Sequence, residues 1–167
     1  PPSRPLPSRA TPSNASGFIS YLIVGSKKHR TYIGATMGDH PFMRCAQHNG
    51  LRSGGTARLA NGRPWTVVAW VSGFPTWKHA LKFERAWQLG YAAACMRDAA
   101  PTSESTRGAV GKLRLLRALL ITRAWYWHTL HVHLVRGAQR ASACAQREAV
   151  LANRGHAHLS WWDPPQA

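Results

Sequence analysis

The sequence contains few acidic residues. Asp and Glu together number 6, against 22 Lys and Arg, so 167 residues carry a formal net charge of +16. So few carboxylates exclude the clustered acidic ligands with which two-metal nucleases hold their ions. The basic residues are spread through the chain, which indicates a polyanionic partner. Nucleic acid is the strongest candidate because each neutralised phosphate releases counterions, and an anionic membrane surface is the alternative.

Cysteine is also scarce. Cys45, Cys95 and Cys144 are widely spaced, and no C-x-x-C pair occurs. This spacing excludes a zinc knuckle or a dithiol redox centre. We therefore expect three reduced thiols, each acting as a small apolar side chain.

Long apolar runs are missing as well. No stretch approaches the roughly 20 residues that a membrane span requires, and no signal-peptide pattern opens the sequence. We expect a soluble, intracellular protein without a membrane partner. The length suits one domain with extensions.

The first half of the chain reads as a tail, a hairpin and a helix. Residues 1–16 are rich in Pro and Ser, which predicts a disordered tail. GFISYLIVGS and TYIGAT are β-branched and aromatic runs separated by KKHR, which predicts a β-hairpin. HPFMRCAQHN then predicts a short helix, with Asp39 as its N-cap and Pro41 in its first turn.

A basic loop, a strand and a second helix follow. LRSGGTARLANGRP has three glycines and no hydrophobic period, so it predicts a flexible loop, and PWTVVAWVSGF predicts a strand. WKHALKFERAWQLG predicts a helix that Thr76 caps and Gly90 ends. Its expected inward stripe comprises Trp77, Ala80, Leu81, Ala86 and Trp87.

The remainder predicts a linker at 91–108 and a mostly helical C-terminal extension at 109–167, packed on the domain at 17–90. VGKLRLLRALLITRAWYW, residues 110–127, has a helical period, LHVHLV alternates like a strand, and residues 138–153 predict a weakly amphipathic helix. His131 and His133 share one face of that strand, but no third or fourth metal ligand is evident, so they are expected to be partly exposed strand histidines.

Glu84 is the only carboxylate between Asp39 and Asp98. Phosphodiester cleavage needs an activated water, positive charge for the transition state and usually a metal ion. Mg²⁺ commonly takes one or two protein carboxylates and keeps several waters, so a one-metal site at Glu84 is chemically reasonable. The alternative is an ordinary helical Glu paired with Arg85 or Lys82.

Several short motifs resemble one known family. SYLI, with Tyr21, and TYIG, with Tyr32 eleven residues later, resemble the paired GIY and YIG elements of GIY-YIG endonucleases. MRCAQHNG resembles the helix that carries the Arg and His of that family, and KFERAW resembles its Glu motif. QHNG, GRPW, SGFPTWKHALKFERAW, LLRALL and LHVHLV look most like the Slx-type structure-selective branch.

The resemblance implies that residues 17–90 are a GIY-YIG nuclease domain. It implies an α/β fold with a small, mainly antiparallel sheet flanked by helices, extended here by the C-terminal helical part. One of Tyr21 and Tyr32 would act as or assist the general base, and which one stays open. Arg44 would steady the scissile phosphate, His48 would complete the site, and Glu84 would hold Mg²⁺ or Mn²⁺, with no small-molecule cofactor.

The resemblance further implies a DNA endonuclease that cuts flaps or junctions during repair or recombination, nuclear or encoded by a DNA virus. Its alternatives are a sequence-preferring GIY-YIG nuclease of a mobile element or restriction system, and a catalytically silent DNA-binding module. Three dispersed cysteines cannot build the C-terminal zinc-binding RING of the Slx-type branch, so its scaffold subunit is not carried over as a partner.

Two groups of basic residues are candidate DNA contacts. The Gly-rich loop could follow a phosphate track, and the hairpin turn could grip a second duplex arm. The residues are Arg52, Arg58 and Arg63 in the loop and Lys27, Lys28 and Arg30 in the turn.

Overall fold

The fold is taken from a computed structural model of the chain. The described residues are 17–27, 30–38, 40–99, 105–125, 128–135 and 158–162. The predicted N-terminal tail and the helix predicted at 138–153 lie outside these ranges. Within them, no helix combines the length and the apolar character needed to cross a membrane.

The predicted hairpin is confirmed. Strand β1 covers Phe18–Gly25, strand β2 covers Thr31–Met37, and they pair antiparallel from Phe18 opposite Met37 to Val24 opposite Thr31. Alternate β1 side chains point to opposite faces of the sheet. Because of this alternation, helices that pack on neighbouring β1 side chains lie on opposite faces of the sheet.

Five strands form one sheet in the order β2-β1-β3-β4-β5. Strand β3, Trp65–Phe74, lies antiparallel to β1, and β4, His131–Val135, lies antiparallel to β3. Strand β5, His158–Trp162, runs parallel to β4. The sheet is thus mainly antiparallel, as expected. Because β4 pairs with β3, the sheet crosses the proposed boundary between nuclease domain and extension, and that boundary stays a prediction.

Helix α1 covers Pro41–His48, with Pro at its first position. Its N-cap is His40 rather than the predicted Asp39, and the His40 ring accepts from the Phe42 amide at 3.5 Å. The His40 ring lies 5.2 Å from the ring of Trp70 on β3. Helix α1 therefore covers the sheet face that carries Trp70 and its register partner Tyr21.

Helix α2 covers Trp77–Leu89, capped by Thr76 and ended by Gly90 at a φ of 60°. Its buried side consists of Ala80, Phe83, Ala86 and Trp87. Including Leu81 in the inward stripe was wrong, since that side chain is 41% exposed. The Ser20 hydroxyl donates to the Ala80 carbonyl at 3.1 Å. Since Ser20 and Tyr21 point to opposite faces, α2 lies on the face opposite α1.

Helix α3 covers Gly108–Leu120 and ends seven residues before the predicted limit. Its docking on α2 includes a 2.7 Å hydrogen bond from the Trp87 indole N–H to the Lys112 carbonyl. Two short 3₁₀ helices, Gly90–Ala92 and Ala94–Met96, occupy the start of the region predicted as linker. The C-terminal part thus contributes a helix and two strands to the described structure.

The Gly-rich loop is more ordered than predicted. A 3₁₀ helix covers Ala57–Gly62, because Leu59 is buried and its carbonyl accepts from the Trp65 indole N–H at 2.8 Å. The predicted core tryptophans Trp65, Trp70 and Trp87 are buried, whereas Trp77 is half-buried. Cys45 and Cys95 are free thiols, as expected, and Cys144 lies outside the described residues.

Candidate active site

A buried tyrosine and a buried histidine form the centre of the site. Tyr21 on β1 points towards α1, and His48 is the last residue of α1. The Tyr21 hydroxyl lies 2.9 Å from His48 Nε2, and the two side chains are 1% and 0% exposed. This hydrogen bond joins the hairpin motif to the helix motif.

Gly34 makes room for the Tyr21 ring. Gly34 is the register partner of Tyr21 on edge strand β2, and a Cβ at this glycine would lie 2.7 Å from both Tyr21 Cζ and the hydroxyl oxygen. It would also lie 2.8 Å from Tyr32 Cε1. The glycine of the TYIG motif is therefore required for the Tyr21 ring to lie across β2 towards the sheet edge.

Tyr32 lines the more open side of the same centre. Its half-buried ring lies 5.5 Å from the His48 ring, edge to face, and 6.4 Å from the Tyr21 ring. The Arg58 guanidinium carbon stands 5.7 Å from the centroid of the Tyr32 ring, a cation–π geometry. Arg58 thus closes one wall of the site.

Arg44 is held between α1 and the Gly-rich loop. Its guanidinium donates to the side-chain carbonyl of Gln47 and, at 3.5 Å, to the main-chain carbonyl of Gly54. Gly54 has a φ of +94°, and a Cβ on Gly55 would lie 2.1 Å from the Gln47 carbonyl oxygen. The loop can approach α1 this closely only because both positions are glycine.

Glu84 reaches the site from α2. Its half-buried carboxylate accepts from the Gln88 amide at 3.0 Å, and the same amide nitrogen donates to the Ile33 carbonyl at 3.0 Å. Gln88 thereby ties Glu84 to β2 beside Tyr32. The alternative of an ion pair with Arg85 or Lys82 is not found among the described residues.

Tyr32, Arg44 and Glu84 lie close enough to Tyr21 to shift the pKa of its phenol. Burial raises the pKa of the Tyr21 phenol above its usual value, and Tyr32 and Glu84 raise it further. The nearby Arg44 guanidinium lowers the same pKa. The structure therefore assembles all five predicted site residues: Tyr21, Tyr32, Arg44, His48 and Glu84.

Two further groups have shifted acidities. Burial lowers the pKa of His48 to about 4, and the charges of Arg44 and Arg63 lower it further. Burial raises the pKa of Glu84, which the hydrogen bond from Gln88 partly offsets. His48 is therefore neutral at pH 7, and its Nε2 can accept the hydrogen bond that the protonated Tyr21 phenol donates.

The donor set fits a hydrated divalent cation. Within the described ranges, no group of three or more His, Cys, Asp or Glu side chains could enclose a metal ion. Glu84 supplies one carboxylate, which forms no ion pair with a described cation. It belongs to the same cluster as the Arg44 guanidinium, which can contact a phosphate. This suits Mg²⁺, which keeps its waters and needs only one or two protein carboxylates.

The predicted DNA contacts differ in their surroundings. Lys27, Arg30, Arg52 and Arg58 are exposed, and Lys28 lies outside the described residues. Arg63 is half-buried, and its Nε donates to the His48 carbonyl at 2.7 Å. All six remain predicted DNA contacts.

Sequence reasoning missed two glutamines. Gln88 lies one helical turn after Glu84 and donates a hydrogen bond to its carboxylate. Gln47 lies three residues after Arg44 on α1 and accepts a hydrogen bond from its guanidinium. Spacings of three or four residues place side chains together on a helix, so the signal was present once Glu84 and Arg44 were chosen.

His131 and His133 do not belong to this cluster. His133 is half-buried, stacks on Trp70 at 4.8 Å, and has its ring nitrogens 3.1 Å from the Ser72 hydroxyl and 2.6 Å from the Ser160 hydroxyl. His131 is exposed. The pair therefore serves the packing of β3, β4 and β5, in keeping with the expectation of strand histidines.

Comparison with known proteins agrees with this geometry. Residues 18–97 match the GIY-YIG catalytic domain. A Leishmania infantum protein named structure-specific endonuclease subunit SLX1 homolog is 41% identical over 128 residues, covering 74% of this chain and 17% of that protein. Human structure-specific endonuclease subunit SLX1 is 31% identical over 149 residues, covering 89% of this chain and 51% of the human protein. The chain thus spans about half or less of these relatives. It belongs to the GIY-YIG endonuclease superfamily, whose catalytic domain forms residues 18–97.

Proposed function

We propose that this chain is a metal-dependent DNA endonuclease that hydrolyses phosphodiester bonds in branched DNA. The observation that carries the proposal is the 2.9 Å hydrogen bond between the Tyr21 hydroxyl and His48, inside a cluster that also holds Arg44 and Glu84. The family match and the names of the relatives, structure-specific endonuclease subunits, support the same class of activity.

Tyr21 and His48 supply a route for a proton. Neutral His48 can take the phenol proton as the Tyr21 oxygen takes a proton from the attacking water. This relay suits a phenol whose pKa is raised, because the free phenolate never has to accumulate. Tyr32, which stands beside the pair, would shape the entrance for the water and the phosphate.

Arg44 and Glu84 supply the charges that the reaction needs. The fixed Arg44 guanidinium can donate to the phosphoryl oxygens, where negative charge accumulates in the transition state. Glu84 would hold Mg²⁺ or Mn²⁺, and such an ion, when bound, polarises a phosphoryl oxygen. Gln88 would keep the carboxylate in position.

The basic surface supports a proposal about the substrate. Cations of the loop and hairpin can contact phosphates, which position DNA without reading its sequence. The name of the relatives favours a substrate recognised by shape. We therefore propose that flaps or junctions are cut in the nucleus during repair or recombination, and that a second protein subunit takes part.

Cleavage of three DNA shapes tests this proposal. A flap, a four-way junction and a plain duplex of equal length are incubated with the protein and Mg²⁺. We expect the flap or junction to be cut at least about 10-fold faster than the duplex, and Arg44→Ala to lower the rate on each by roughly 100-fold or more. Exposed Arg97→Ala, outside the cluster, is the control. Equal cutting of all three shapes contradicts structure selectivity.

A further inference from the structure

The outer side of α2 carries three cations in a row. Lys78, Lys82 and Arg85 are exposed, and their spacing places them on one side of the helix. We name them the α2 basic stripe. At 1.5 Å per residue they cover roughly 10 Å along the helix axis, over which duplex DNA presents about six phosphates.

No described side chain neutralises the stripe. Glu84 and Asp98 are the only acidic residues within the described ranges, and Glu84 is bonded to Gln88. Like charges four residues apart on a helix repel each other, so Lys78 and Lys82 destabilise α2. A merely solvated helix would gain from mixed charges, whereas an unmixed row complements a polyanion.

The stripe and the Gly-rich loop lie on different sides of the sheet. Helix α1 and its loop cover the face of Tyr21, while α2 covers the face of Ser20. Glu84 lies at the sheet edge between the two sides. Its charge raises the pKa of the Tyr21 phenol, and Gln88, which donates to Glu84, also donates to the Ile33 carbonyl of edge strand β2. Arg85 follows Glu84 and is rotated from it by about 100° around the helix. The candidate site therefore lies between two basic surfaces.

We propose, resting on the proposed function, that the α2 basic stripe binds the phosphate backbone of a second duplex arm. The Gly-rich loop binds the arm that is cut. Duplex DNA is stiff, so a continuous duplex must bend around the sheet edge to reach both surfaces, which costs free energy. A branch point provides that bend without deforming a helix. Two basic surfaces on either side of one site thus select branched over linear DNA.

Binding measurements on two DNAs test this assignment. Lys78→Ala, Lys82→Ala and Arg85→Ala are combined in one variant. Its control combines Arg97→Ala, Arg107→Ala and Arg123→Ala, which remove the same charge from exposed positions outside α2. Both are made with Glu84→Gln, so that DNA is bound without cleavage, and thermal unfolding checks the fold. The probes are a three-arm flap and a single duplex arm.

We expect the stripe variant to bind the flap about 10-fold more weakly than the control variant does, and the single duplex within about 2-fold of the control. The slope of log affinity against log salt for the flap should fall by about 2 to 3. Equal loss in both variants, or equal loss on flap and duplex, overturns the proposal. Unchanged flap binding also overturns the proposal. Binding of both variants to polyglutamate is measured as well, and if the stripe variant loses only that binding, the stripe is assigned to an acidic protein. Failure of the proposed function shows separately, as an intact flap after incubation with the wild-type protein and Mg²⁺.

Discussion

At the residue scale, the hydrogen bond between Tyr21 and His48 is the feature most directly tied to chemistry. Tyr21→Phe keeps the ring and removes only the hydroxyl. We expect single-turnover cleavage to fall about 100-fold or more, because the proton relay is lost. DNA affinity should stay within about 2-fold, and stability should fall by about 1–2 kcal/mol, because buried His48 loses its partner.

Tyr91→Phe is the matched control, since Tyr91 is half-buried on a 3₁₀ helix outside the site. It should cleave at close to the wild-type rate. A Tyr21→Phe protein that cleaves as fast as this control would show that the Tyr21 hydroxyl takes no part in the reaction.

The acidity of His48 can be measured at the same scale. Burial is the main cause of its pKa of about 4, and Arg44 and Arg63 contribute further. An NMR titration should therefore find the His48 ring neutral until the pH falls well below 6, and Arg63→Gln should move the midpoint upward. Exposed Arg52→Gln, as control, should not move it. A wild-type midpoint near 6.5, the value for a free imidazole, would contradict the burial of His48 beside Arg44 and Arg63.

At the element scale, β2 is shaped by the ring of Tyr21. A Cβ on Gly34 would lie 2.7 Å from the Tyr21 hydroxyl, so Gly34→Ala should displace the ring or the strand. We expect the free energy of unfolding to fall by about 1–3 kcal/mol and most of the cleavage activity to be lost. Gly38→Ala, where a Cβ meets nothing within 4 Å but φ is +78°, should lower stability while cleavage persists. Full activity in Gly34→Ala would be incompatible with the packing described.

The outer strands give a prediction about acid. His133 joins β3 to β5 through Ser72 and Ser160, and burial, followed by His131 and His40, lowers its pKa to about 4. Between about pH 6.5 and 4 the unfolded chain binds a proton at this position that the folded chain does not. Stability should therefore fall as pH falls through this window.

Urea unfolding at several pH values measures that dependence. His133→Gln should weaken this dependence and leave the part that buried His48 contributes, since its pKa is also lowered to about 4. His131→Gln, on the exposed neighbour, should leave the dependence close to that of the wild type. If the two variants show the same pH dependence as each other, His133 does not contribute to it.

Sequence patterns were sufficient where local signals agree. The hairpin, α1, α2 and the LHVHLV strand each have a clear period or cap, and the motif order named all five cluster residues. Strand β5 was missed because five residues offer little local signal and its pairing with β4 spans a long stretch of chain. The 3₁₀ helix was missed because the tertiary bond from Trp65 to Leu59 overrides a Gly-rich composition. The N-cap at His40 arises from packing against Trp70, which no local pattern encodes.

At the scale of the whole molecule, charge governs encounter with DNA. The net charge of +16 and the lack of described partners for the α2 basic stripe predict binding dominated by phosphate contacts. For six or more such contacts, raising salt from about 50 to about 200 mM should weaken affinity by on the order of 1,000-fold. Fluorescence anisotropy with labelled flap DNA measures this. Affinity independent of salt would rule out an electrostatic interface.

We propose that Glu84 serves the chemistry and not the fold. Glu84→Gln and Asp98→Asn remove the only two carboxylates of the described residues, one inside the cluster and one on an exposed turn. The decisive measurement is single-turnover cleavage of a flap DNA by each variant with Mg²⁺, with DNA affinity measured in parallel. We expect a loss of at least about 1,000-fold for Glu84→Gln with affinity retained, and a near wild-type rate for Asp98→Asn. Cleavage by Glu84→Gln at the wild-type rate would contradict a chemical role for this carboxylate.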